Sequence, residues 1–192
     1  MALIVYKWSR ARTVAVAMGL VMGALVVGQA RRSEPMTVVS VVDGDTLKVE
    51  GSDGVRTVRL WGVDCPEIRQ KFGVEALEFV AELCFETDVT LEVKDVDRYG
   101  RLVCEVELED GRDLANVIIS NGWGWWYTAY ARGDREKERL QKEAQAAEVG
   151  LWTSSHNVAP WVWRKRSGVV FQSPGPVLLS GPGLVSERLR AA

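Results

Sequence analysis

Apolar residues recur along this chain with two periods, and the change from one to the other marks out its elements. Residues 37–42 are apolar and β-branched, and 46–50 alternate, with Leu47 and Val49 on one face. Gly51-Ser52-Asp53-Gly54 is a hairpin turn, after which 55–61 alternate again, Val58 and Leu60 opposing Thr57 and Arg59. Over 70–85 the period lengthens. Phe72, Ala76, Phe79, Val80 and Leu83 fall at helical spacing, with Glu75, Glu78 and Glu82 on the other side. Alternation returns over 89–96, with Val89, Leu91 and Val93 on one face. The turn Asp97-Arg98-Tyr99-Gly100 leads to a fifth strand over 102–108. Asp110-Gly111 precedes a short helix over 113–120, closed by Asn121-Gly122. A charged amphipathic helix over 132–149, with Leu140, Ala144 and Ala147 as its inner face, stops at Gly150.

Five short strands with a helix after the third predict an α+β, mainly β domain: a small, partly open five-stranded OB-fold barrel with three packed helices. It spans residues 37–166. Residues 31–36 read as a linker. The tail 167–192, with Pro174, Pro176 and Pro182 among Gly and Ser, reads as flexible. Residues 1–30 read as a targeting segment: Lys7, Arg10 and Arg12, then an apolar run from Thr13 to Gly28, then the small residue Ala30. The run is short of the roughly 20 residues that span a bilayer comfortably. A cleaved export signal and a secreted or extracytoplasmic protein are therefore expected. A membrane anchor through 13–30, retained uncleaved, is the alternative.

Charge narrows the function classes. The formal net charge is −2, and it falls to −5 without residues 1–30, which hold three bases and no acid. That is not the basic surface of a nucleic-acid coat protein. It leaves room for an enzyme that uses acids for a metal and a few Arg for phosphate. Three cysteines (Cys65, Cys84, Cys104) make neither a disulfide framework nor a zinc motif, and Cys84 and Cys104 read as small core residues. Six of the eight Trp lie in the second half, where Trp123, Trp125, Trp126, Trp152, Trp161 and Trp163 read as fastening the C-terminal segment to the body. His156 lies in a polar loop with no partner arranged around it.

Three clusters carry candidate chemistry. Asp43-Gly44-Asp45-Thr46 places two carboxylates at a strand junction, where a plain turn is the competing reading. In Arg59-Leu60-Trp61-Gly62-Val63-Asp64-Cys65-Pro66-Glu67, Pro66 keeps Cys65 extended or turned, so Asp64 and Glu67 can aim at one spot. Helix capping is the competing use for either acid. Asp97-Arg98-Tyr99-Gly100-Arg101 is, taken alone, a solvated turn. Together the three supply more. Asp45 and Asp64 offer hard oxygen ligands suited to calcium. Glu67 is a candidate general base. Arg59 and Arg101 are planar forks for a phosphate. Metal, base and two Arg make a parts list for phosphodiester hydrolysis.

In order and spacing these motifs resemble the staphylococcal (micrococcal) nuclease family, over about residues 38–163. Trp125-Trp126-Tyr127, Gly150-Leu151-Trp152 and Pro160-Trp161-Val162-Trp163 resemble its bacterial secreted members in particular. The resemblance implies a calcium-dependent (Ca2+) endonuclease acting on DNA and RNA, single-stranded preferred, breaking the bond from phosphorus to the 5′ oxygen and leaving 3′-phosphates. It implies Asp45, Asp64 and the backbone carbonyl of Cys65 as metal ligands, with Asp43 behind them. Glu67 would activate water, and Arg59 and Arg101 would hold the phosphate. Cys65 stands where the staphylococcal enzyme has Thr, a change that a backbone ligand survives, although a thiol there could respond to oxidation. Tyr99, Tyr127 and Tyr130 are the candidate substrate contacts. A monomer without an obligate protein partner is expected. The competing reading is a non-catalytic nucleic-acid-binding OB-fold module at the cell envelope.

Overall fold

A computed structural model of the chain describes residues 34–167. The expected signal or anchor over 1–30, the first half of the linker, and the tail past Ser167 lie outside the described residues. Among the described residues no helix is long and apolar enough to cross a membrane.

Strands β1 (Met36–Asp43), β2 (Thr46–Gly51) and β3 (Gly54–Leu60) form an antiparallel meander. β3 then runs parallel to β6 (Leu102–Leu108), pairing Arg59 with Val103 and Leu60 with Cys104. β5 (Asp88–Val96) returns antiparallel along β6, and its start meets the start of β1 at Met36↔Val89. The order β1-β2-β3-β6-β5 is thus a closed barrel, where a partly open one was expected. Two register shifts in β1 help it coil far enough to pair on both edges.

The alternation read from the sequence fills the inside. Val38, Val41, Leu47, Val49, Val58 and Leu60 are fully buried. Helix α1 (Gly73–Cys84) adds Ala76, Leu77, Val80 and Cys84 to this core, and α2 (Leu114–Ser120) adds Leu114, Ile118 and Ile119. Cys84 and Cys104 are buried and free, as expected of small core residues. Asp113 caps α2 by accepting the Asn116 N–H at 2.6 Å, and Asp134 caps α3 (Arg135–Ala146) by accepting the Glu136 and Lys137 N–H groups.

Several expectations are corrected. Phe72 precedes α1, in a left-handed conformation (φ 70°), and packs on Trp123. Val93 is 53% exposed although Val89 and Leu91 are buried, because β5 outruns the barrel wall and its register shifts between Val93 and Asp95. The inner face of α3 is Lys137, Leu140 and Ala144, while Ala147 is exposed. Lys137 is buried because its ammonium donates to Asn116 Oδ1 at 2.9 Å and lies 3.5 Å from both capping carboxylates, Asp113 and Asp134. There are four α-helices among the described residues, not three: α4 (Pro160–Ser167) follows a short 3-10 turn at Gly150–Thr153. A second, two-stranded sheet pairs β4 (Val63–Asp64) with β7 (Trp125–Trp126).

The start of α1 bears directly on Glu67. A Cβ on Gly73 would lie 1.9 Å from the Glu67 carbonyl oxygen, so Gly73 sets how closely the 65–72 loop folds onto the helix. Gly73→Ala is expected to lower stability in chemical denaturation by about 1–3 kcal/mol, the usual cost of overpacking. An unchanged midpoint would mean that this close approach is not needed.

Candidate active site

Backbone geometry brings the first two motifs together. Asp43 ends β1, Asp45 lies in the turn, and Thr46 opens β2 directly opposite Arg59 on β3. The Asp45 N–H donates to Asp43 Oδ1 at 3.0 Å, which tightens the turn. Gly44 admits the next strand: a Cβ there would lie 2.7 Å from the Cys65 Cβ. The Cys65 N–H donates to Asp45 Oδ2 at 2.7 Å, and its thiol donates to the Gly44 carbonyl at 3.2 Å. Asp64 is held in β4 by pairing with Trp125.

Arg59 joins these pieces. Its Nε lies 3.1 Å from Asp45 Oδ1, and its Nη2 donates to Asp64 Oδ1 at 2.9 Å. Its Nη1 donates to the carbonyls of Leu60 and Val63, each at 2.8 Å. The side chain is only 7% exposed. Burial opposes its charge, but Asp45, Asp64 and Asp43 outweigh that and hold its pKa above the ordinary value.

The third motif arrives on the hairpin arm that leaves the barrel. Asp97 accepts the Tyr99 and Arg101 N–H groups and the Arg101 Nε at 2.7 Å, so Asp97 braces Arg101. Burial opposes the Asp97 charge, but the bonds from Arg101 prevail and lower its pKa. Tyr99 is half-exposed, with the Arg98 guanidinium 4.8 Å above its ring. Tyr127 and Tyr130 stand edge to face at 5.3 Å.

All ten residues singled out from the sequence, Asp43, Asp45, Arg59, Asp64, Cys65, Glu67, Tyr99, Arg101, Tyr127 and Tyr130, line one cleft of about 800 Å³. The same cleft is lined by residues given no role in the chemistry in advance: Asp95, Asp97, Trp161, which was read only as a fastener of the C-terminal segment, Arg164 and Lys165. Of these, Asp97 was within a recognised motif. Trp161, Arg164 and Lys165 had one available signal, Pro160 as the first residue of a helix, and Asp95, on β5, had none.

Burial sets the electrostatics. It pushes the Asp64 carboxyl up to about 6 against the pull of Arg59 and Arg164, and raises Asp43 together with the nearby Asp45 charge. Burial likewise raises the Cys65 thiol, which leaves it neither exposed nor ionised for oxidation. Among the described residues no three His, Cys, Asp or Glu side chains gather around one point as ligands. The donor set nevertheless fits calcium: two buried carboxylates are hard ligands, and backbone and solvent oxygens complete such sites. Four acids (Asp43, Asp45, Asp64, Glu67) meet two guanidiniums (Arg59, Arg164), an excess of negative charge that a divalent cation offsets.

Comparison with known proteins places the same region in a family. Residues 57–154 match the family described as staphylococcal nuclease homologue. Protein ParB of Escherichia coli is 37% identical over 139 residues, covering 68% of this chain and 78% of that protein. An uncharacterized endonuclease of Escherichia coli O157:H7 is 35% identical over 129 residues, covering 67% and 84%. A micrococcal nuclease of Shigella flexneri is 34% identical over 139 residues, covering 68% and 80%.

The raised acids give stability a definite pH dependence. Unfolded, both carboxyls ionise near about pH 4. Between there and about 6 the folded protein holds more protons than the unfolded chain, so metal-free stability falls as pH rises through that window. Asp64→Asn is expected to flatten this slope in denaturation midpoints. An unaltered slope would clear Asp64 of responsibility.

Proposed function

The chain belongs to the staphylococcal nuclease family, and from that premise we propose that it is a calcium-dependent endonuclease hydrolysing phosphodiester bonds of DNA and RNA, single strands preferentially. Nuclease chemistry itself follows from the family. The finer reading rests on one observation: three motifs far apart in sequence meet in one cleft, and Arg59 touches an acid from each of the first two.

Asp45 and Asp64 would hold the calcium, with the Cys65 carbonyl as a further oxygen and Asp43 hydrogen-bonded behind Asp45. When bound, the ion supplies positive charge beside the scissile phosphate. Glu67 lies outside the Arg59 cluster, and its side chain is 24% exposed, so water can reach it. It takes a proton from the attacking water. The water oxygen bonds to phosphorus, the bond to the 5′ oxygen breaks, and that oxygen leaves with a proton from solvent. The 3′ side keeps the phosphate. Arg101, oriented by Asp97, faces the charge that develops on the phosphoryl oxygens. Arg59 contributes mainly by fixing the two ligands, since its donors are largely committed to protein acceptors. Tyr99, Tyr127 and Tyr130 give the bases and sugars surfaces to pack on.

The purified chain is expected to degrade denatured DNA and RNA with calcium, to stop with EDTA, and to leave 3′-phosphate ends. Glu67→Gln should cost about 10²-fold or more in rate. Tight oligonucleotide binding with no cleavage under any divalent metal would favour the binding-module reading instead.

A further inference from the structure

Outside the matched residues 57–154, α4 carries a basic last turn, Arg164-Lys165-Arg166. Arg164 does not extend into solvent. Its Nη2 donates to Asp64 Oδ2 at 2.8 Å, and its Nη1 lies 3.3 Å from Asp64 Oδ1 and 2.8 Å from Glu67 Oε1. One fork thus holds the carboxylates assigned above as a metal ligand and as the base. The helix is seated for this. Trp161, one turn earlier, packs edge-on against Trp125 at 6.5 Å and tilted against Tyr127 at 5.7 Å. The Gln70 side chain donates to the Val158 carbonyl just before the helix. Trp125 in turn pairs with Asp64 across the small sheet, so α4 and Asp64 share a support.

Arg59 and Arg164 differ in what they can release. Arg59 is sealed in and spends two of its contacts on backbone carbonyls, which no cation replaces. Arg164 is 27% exposed, and among the described residues its side-chain hydrogen bonds are all to carboxylates, which a divalent cation would take over. A guanidinium freed there remains in the cleft, next to Lys165, where the diester must lie to meet both Asp64 and Glu67.

We propose that Arg164 is a third arginine of the active site, a built-in counter-cation that competes with the divalent metal for Asp64 and Glu67 and passes to the substrate phosphate once the metal binds. The proposal rests on the calcium-dependent nuclease reading and extends the site to a helix beyond the matched domain.

Calorimetric titration of the full chain with calcium tests the first half without any substrate. Arg164→Gln removes the competing charge, so calcium should bind about fivefold or more tightly, the direction Coulomb's law requires. Steady-state cleavage at saturating calcium tests the second half: the same variant should raise KM about tenfold, the loss of a charge-assisted hydrogen bond. Arg164→Lys keeps the charge without the fork and should fall between wild type and Gln in both measures. It carries the test if circular dichroism shows the Gln variant unfolded. Calcium binding that is unchanged or weaker in the variants overturns the counter-cation role, and an unchanged KM overturns the transfer to phosphate. If wild type and variants all fail to bind calcium, the calcium reading falls and the proposal with it. If wild type binds and the variants bind no tighter, the proposal alone falls.

Discussion

A guanidinium sealed in the protein between two carboxylates is the constraint on which the rest is arranged. Arg59 ties Asp45, from the turn between the first two strands, to Asp64, from the small second sheet, and spends its remaining reach on the carbonyls of Leu60 and Val63. Taking one partner out of such a buried set typically costs about 3–5 kcal/mol, because the remaining charges are left without compensation. The set is costly to assemble and so is useful only for what it positions: acids held close together, in a protein that tolerates them only while cations balance them.

The barrel supplies that position. Closure of β1 on both β2 and β5 fixes the end of β1, and hence Asp43 and Asp45, relative to β3 and Arg59. The β4–β7 pair then carries Asp64 to the same place from the other side. β5 contributes by leaving the wall: past Leu91 its residues are exposed, and its hairpin arm brings Asp97 and Arg101 over the cleft. Stability and chemistry therefore pull in opposite directions at Asp64, where burial favours the neutral acid and Arg59 and Arg164 favour the charged one.

Much of this was legible in the sequence, for physical reasons. Leu47, Val49, Val58 and Leu60 alternate because one barrel face is dry, and a dry face leaves a period of two in any sequence. Asp43, Asp45, Asp64 and Glu67 stand out because carboxylates at strand junctions and beside Pro66 serve no core. Val93 misled because an alternating pattern does not record where a barrel wall ends. The β4–β7 pair is two residues long on each side, too short for any period to appear. In α4, Trp161 and Trp163 at a spacing of two obscured a helix that Pro160 announced. Nothing local links Arg164 to Asp64, a hundred positions earlier in the chain. Such a contact is decided by packing of the last helix, not by the residues around it.

Crystallography of the protein with calcium and a non-cleavable dinucleotide addresses the shared cation directly. The expected result is one ion with an oxygen of Asp45 and an oxygen of Asp64 both at about 2.3–2.6 Å, and a phosphate beside Arg101. An ion bound away from these two acids, or a dinucleotide seated outside the cleft, would contradict the assignment.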